Sequence, residues 1–158
     1  MNIWNLKTWT VIVTLSTATF GHAATSGTLN LTGTVDEVVS IEVTAESVAS
    51  NLDLESDQTD LKVATVEENS NSSTGYTVSI DSANSGTLVR TGGSETFSYS
   101  MEYDGDTVDL TSTDTFSNSS AASVSVNKDV TISYTGEDAS SMVAGDYEDT
   151  VTFSIAAN

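Results

Sequence analysis

Cysteine and proline are absent from this sequence, histidine occurs once and tryptophan twice, and four basic side chains face 23 acidic ones. His22, Trp4 and Trp9 all fall within the first 24 residues. Beyond them no thiol, imidazole or indole remains. Without thiol or imidazole, nucleophilic catalysis by cysteine or by a histidine-activated serine has no means. Zinc, copper and haem sites built on His or Cys ligands are excluded with it. The chain also cannot staple itself with disulfides, so its stability must come from packing.

The first segment reads as a secretory signal peptide, residues 1–23, removed in the mature protein. Lys7 gives a positive start, Trp9-Thr10-Val11-Ile12-Val13-Thr14-Leu15 opens a short apolar run, and Gly21-His22-Ala23 supplies small residues for cleavage. That run is interrupted by threonines and is far shorter than the roughly 20 apolar residues needed to span a bilayer. Export to the periplasm is expected, and from there to the cell surface or the medium.

About 135 residues then remain, a size that suits one domain with a core of its own. The formal net charge of -19 repels nucleic acid and anionic lipid, so neither partner nor direct membrane insertion is expected. The acids are dispersed, as on the solvated face of a folded domain, rather than gathered in a tail.

What fills the chain is alternation. Leu29, Leu31, Gly33 and Val35 alternate with polar residues, as do Val39, Ile41 and Val43; Tyr76, Val78 and Ile80; Phe97, Tyr99, Met101 and Tyr103; Val130, Ile132 and Tyr134; and Val151, Phe153 and Ile155. Period two in β-branched and aromatic-rich runs marks strands with one buried face. Asp104-Gly105 predicts a hairpin joining Phe97–Tyr103 to Thr107–Leu110. Asn69 to Gly75 and Thr91 to Ser94 are further turn clusters. The expected fold is all-β, an antiparallel sandwich of about seven to eight strands. One short helical turn is expected within Glu137 to Val143. Val78, Ile80, Tyr99, Met101, Val130, Ile132, Val151 and Phe153 are the expected core.

Few constellations carry chemistry. Asp53, Glu55, Asp57 and Asp60, with Asp104, Asp106 and Asp109 around the hairpin, are the calcium candidates, since calcium takes six to eight oxygen ligands. Their spacing is not that of an EF-hand, and Asp is common in turns for other reasons. Paired carboxylates could run glycoside hydrolysis, yet no nucleophile, base and orienter can be assembled from the remaining residue types. No enzyme and no cofactor are expected.

The two ends are more specific. Gly27-Thr28-Leu29-Asn30-Leu31-Thr32-Gly33-Thr34-Val35 and Ala144-Gly145-Asp146-Tyr147, followed by the alternating run Val151 to Ile155, resemble chaperone-usher pilus subunits. Such chains open on a Gly-Thr-apolar-x-apolar-x-Gly-x-Val strand and close on an Ala-Gly-x-Tyr turn and a last strand. The lack of cysteine is most similar to the alternate, colonisation-factor branch, although Glu37 stands where that branch usually has a proline. The resemblance implies an immunoglobulin-like sandwich missing one strand, filled first by a periplasmic chaperone and then, at an outer-membrane usher, by the extension of an identical or related subunit. Residues 24–36 would then be the donated extension and 37–158 the sandwich. Leu29, Leu31 and Val35 would insert, Gly33 would pass where the groove is shallow, and Tyr147, Val151, Phe153 and Ile155 would form the last strand. This is β-augmentation, in which ladder hydrogen bonds give affinity and alternate side chains give specificity. The alternative is a self-complete secreted sandwich that binds a ligand, with calcium as a candidate. The two differ in whether residues 25–35 pair with another molecule or within their own sheet.

Overall fold

The computed structural model describes residues 25–158, so the expected signal peptide lies outside the described residues. Eleven strand segments and one short 3-10 turn make up the described chain: β1 Val39–Ala45, the turn Ser47–Ser50, β2 Gln58–Ser70, β3 Tyr76–Ser82, β4 Thr87–Arg90, β5 Thr96–Ser98, β6 Ser100–Tyr103, β7 Asp106–Thr107, β8 Asp114–Asn118, β9 Val124–Tyr134, β10 Tyr147–Glu148 and β11 Val151–Ala157. The fold is all-β and sandwich-like, with every strand pairing antiparallel.

One layer is the sheet β1-β2-β9-β6-β7. The other is built from two three-stranded pieces, β11-β3-β8 and β10-β4-β5, laid end to end. β4 continues β3 after a turn in which Ser85 and Gly86 take positive φ, and β11 continues β10 after Asp149-Thr150. β6 continues β5 past the single residue Tyr99, but in the opposite layer. With these three continuations joined, eleven segments become eight strands, within the number the alternation predicts.

Between the layers lies the core. Val66, Val78 and Ile80 are fully buried, with Phe97, Met101, Val130 and Ile132 beside them. Each such aliphatic side chain contributes about 1.5–3 kcal/mol by leaving water. Edge-to-face rings tie the layers together: Phe97 against Tyr134 at 5.4 Å and Tyr103 against Phe116 at 5.3 Å. Asp104 and Gly105 form the expected hairpin turn with φ of 55° and 87°, the positive pair that two-residue hairpins require.

Three expectations are corrected. Phe97–Tyr103 is not one strand, because the chain changes layer at Tyr99, and its pairing with the β7 side runs from Tyr103 opposite Asp106 and Glu102 opposite Thr107 to a last bond from the Val108 N–H to Met101 O at 3.0 Å. Glu137–Val143 holds no helix; the Asp138 side chain instead accepts the Ser140 N–H at 2.8 Å and organises a turn. Tyr99, Val151 and Phe153 are only partly buried. Tyr99 sits at the crossing between layers, and the other two lie on a strand whose outer side has no partner.

Candidate functional site

Among the described residues β1 and β11 are each the last strand of their own layer, and they run beside one another without pairing. Their registers say where the backbone groups point. Ala83 N–H donates to Thr150 O at 3.0 Å and Asn158 N–H to Gly75 O at 3.1 Å, so even-numbered residues of this stretch address β3. Antiparallel partners alternate between bonded and non-bonded pairs. The N–H and C=O groups of Val151, Phe153, Ile155 and Ala157 therefore face the open side. The same holds for β1, where Glu46 N–H donates to Val63 O at 2.8 Å and Asn71 N–H to Val38 O at 3.1 Å. Val39, Ile41, Val43 and Ala45 thus carry the groups left without a ladder partner.

The side chains of these same residues are the apolar ones, and they turn toward the core from both edges. The result is a groove of about 370 Å³ lined by Val43, Ala45, Val63, Leu88, Met101, Val130, Val151 and Phe153. Val43 is 45% exposed, and Ile41, Val151, Phe153 and Ile155 are half-buried against the core. An apolar slot with two unpaired ladder edges offers an added strand side-chain pockets and backbone partners. Cα atoms of the two edges come within 8 Å, so a strand bonded to both must part them to about 9.5 Å, two ladder spacings.

One end of the groove is polar. Asp149 takes Ser82 Oγ and the Tyr99 hydroxyl on Oδ2, each at 2.7 Å, and the Asn84 N–H on Oδ1 at 3.1 Å. Burial, followed by the Asp149 hydrogen bond, holds the Tyr99 hydroxyl well above the usual phenol range. This knot occupies the break between β10 and β11. Tyr147 is half-buried on β10, paired with Arg90, and its hydroxyl donates to Val143 O at 2.8 Å.

Of the residues expected to insert, Leu29 is 80%, Leu31 85% and Val35 87% exposed, and among the described residues no strand begins before Val39. A Cβ placed on Gly33 would meet open space. The calcium candidates do not converge. Asp53 Oδ1 accepts the Glu55 N–H at 3.1 Å, Asp57 Oδ1 accepts the Gly136 N–H at 2.8 Å, and Asp60 at φ 50° presents its N–H to Ser133 Oγ at 2.9 Å. Asp104 pairs with Lys128, and Asp106 lies in β7 beside the turn. Asp109 accepts the Thr111 hydroxyl at 2.6 Å and its N–H at 3.0 Å, and these bonds hold its carboxyl below the usual range. Among the described residues no three His, Asp or Glu side chains gather as metal ligands would.

The sequence reading missed Glu68. Extending the inward alternation of Ala64 and Val66 by one step places this carboxylate inside the sandwich, only 3% exposed. It accepts the Tyr76 hydroxyl at 2.6 Å and also that of Tyr103. Two tyrosine hydroxyls from opposite layers thus meet on one buried carboxylate. No protein-family model and no curated protein matches the chain.

Proposed function

We propose that this chain is a structural subunit of an exported surface fibre, a fimbria or pilus contributing to adhesion. The extension of one subunit, residues 24–36, lies as an added strand between β1 and β11 of the next. The observation that carries this reading is the pair of unpaired sheet edges facing one another across an apolar groove. Leu29, Leu31 and Val35 have the spacing to fill such a groove, while Thr28, Asn30, Thr32 and Thr34 point away from it. A head-to-tail contact of this kind does not close on itself, so it propagates as a filament. Before assembly the groove needs a temporary occupant, which is the part a periplasmic chaperone plays, with an outer-membrane usher as the place of exchange. The self-complete module calls for residues 25–35 in their own sheet, and among the described residues the first strand begins only at Val39.

Deleting Ala24 to Val35 is expected to leave a folded domain that no longer self-associates and that binds a synthetic peptide of those residues. Leu31→Asp in the peptide should weaken binding at least tenfold, about 1.4 kcal/mol or more, because a carboxylate in an apolar slot is desolvated without a partner. Asn30→Asp should change it little. Fluorescence anisotropy of the labelled peptide checks both. A truncated domain that unfolds and is not rescued by the peptide overturns the reading.

A further inference from the structure

We infer that Asn71 forbids the extension from entering its own groove, so that the occupant must come from a second copy of this chain; this rests on the fibre reading above. Nothing in the composition of the extension distinguishes its own groove from a neighbour's. The distinction lies at residues 36–38, where the chain enters β1.

Strand register limits how the extension could fold back. To line the groove, Leu29, Leu31, Gly33 and Val35 must present their side chains on the same side as Ile41 and Val43. Residues directly opposite in an antiparallel pair share a face, so an odd-numbered residue of the extension must stand opposite an odd-numbered residue of β1. A hairpin with a two-residue loop pairs odd with even and turns Thr32 and Thr34 inward, because a shift of one residue exchanges the faces. Parallel entry needs a crossover of a dozen or more residues, far beyond what Asp36–Val38 supplies.

Three-residue loops are the short solution that remains; a loop 35–37 would close on Val38, whose N–H and C=O both face Asn71 on the β2 side, which leaves two next to β1. The loop 36–38 would set Val35 opposite Val39, and the loop 34–36 would set Gly33 opposite Glu37. Such loops end on a residue in the left-handed region, here Val38 or Asp36. A β-branched residue such as Val38 rarely adopts that conformation.

Asn71 holds both of these residues. Its Oδ1 accepts the Val38 N–H at 2.6 Å, its own N–H donates to Val38 O at 3.1 Å, and its Nδ2 donates to Asp36 O at 2.9 Å. Val38 thus continues the β1 ladder against β2, with both backbone groups taken. One side chain and one amide keep the entry to β1 extended at the two positions where a productive hairpin would have to turn. Val38 is itself 56% exposed, so packing adds little to this restraint.

The test compares the chain beginning at Ala24 with Val38→Gly/Asn71→Ala, which releases the clamp and places glycine at the left-handed position of loop 36–38. Size-exclusion chromatography across concentrations reads self-association, and anisotropy of a labelled peptide of residues 25–35 reads groove access. The parent should associate with rising concentration and be blocked by excess peptide. The double variant should stay monomeric at every concentration, bind the peptide at least tenfold more weakly, and keep a strand-rich circular dichroism spectrum. A double variant that associates and binds peptide like the parent overturns the inference while leaving the fibre reading intact. A parent that neither associates nor responds to peptide overturns the reading itself. Should the double variant fail to fold, Asn71→Ala alone decides: a larger monomer fraction with reduced peptide binding supports the clamp, and unchanged values overturn it.

Discussion

A carboxylate at an interior position is costly unless its oxygens are satisfied, and Glu68 meets that cost with two phenol hydroxyls drawn from two different layers. It therefore acts as a bolt through the sandwich. Glu68→Ala should destabilise by about 1–3 kcal/mol for each hydroxyl left without an acceptor, read from the midpoint of urea unfolding. Adding Tyr76→Phe and Tyr103→Phe to a Glu68→Leu variant should recover most of that loss, since removing all partners together strands none. The same tyrosines set an alkaline limit. Burial first, and the carboxylate bonds second, hold Tyr76, Tyr99 and Tyr103 above the usual phenol value near 10. A group whose folded value is raised contributes stability that is complete below its unfolded value and is lost as pH climbs toward the folded one. Unfolding is therefore expected to become easier above about pH 10, with the tyrosinate absorbance appearing together with loss of the circular dichroism signal.

At the scale of elements, the strands were legible and their partners were not. Alternation around Tyr76–Ile80, Val130–Tyr134 and Val151–Ile155 is a local property, written in side-chain type at every second position, and the structure has strands at each. The change of layer at Tyr99 left no such mark: Phe97, Tyr99, Met101 and Tyr103 alternate without interruption, because both layers look inward to the same core. Glu68 was hidden for the opposite reason, since a carboxylate on an inner face breaks the pattern by which inner faces are found. The groove is a property of which strands end up last in their layers, and only topology supplies that. The alternation could nominate residues 27–35 as a strand but could not say whose. If β1 and β11 are open edges, the amides of Val43 and Phe153 should exchange with solvent quickly in the chain lacking Ala24 to Val35. They should become protected when the peptide is added, while the amide of Ile80, within the core sheet, should be slow in both states. Hydrogen exchange followed by mass spectrometry checks this.

For the whole molecule the governing quantity is charge. Outside Lys7 only three cations stand against 23 carboxylates, and each is already committed: Lys62 to Asp129 at 2.6 Å, Arg90 to Glu95 at 2.7 Å, and Lys128 to Asp104. Self-repulsion of this size destabilises a compact state and opposes association of identical copies. Sodium chloride should raise both the melting temperature and the rate of self-association as it shortens the Debye length from about 30 Å at 0.01 M to about 10 Å at 0.1 M. Calcium at matched ionic strength should add little, because the loop acids are occupied with their own turns. A strong rise with low millimolar calcium that matched salt does not reproduce would contradict this.

Those three cations have a further consequence, in the currency of digestion. Proteases of the trypsin type cut only after lysine or arginine, and they require several residues of extended, unpaired chain around the cut. Beyond Lys7 this protein offers them Lys62, Arg90 and Lys128 and nothing else. Each lies in a strand flanked by two others: β2 between β1 and β9, β4 between β5 and β10, β9 between β2 and β6. Every long loop and the whole exposed extension are without a cutting site. Arg90 is the last residue of β4, and the turn after it is tied by the Thr91 N–H to Asp146 O at 2.8 Å and by the Gly93 N–H to Arg90 O at 3.0 Å. Cleavage by such an enzyme must therefore wait for a strand, or this tied turn, to open, and its rate at low protease follows the population of the opened form. The chain is thereby hardened against one large class of digestive enzymes by its scarcity of basic residues and by where it keeps the few it has.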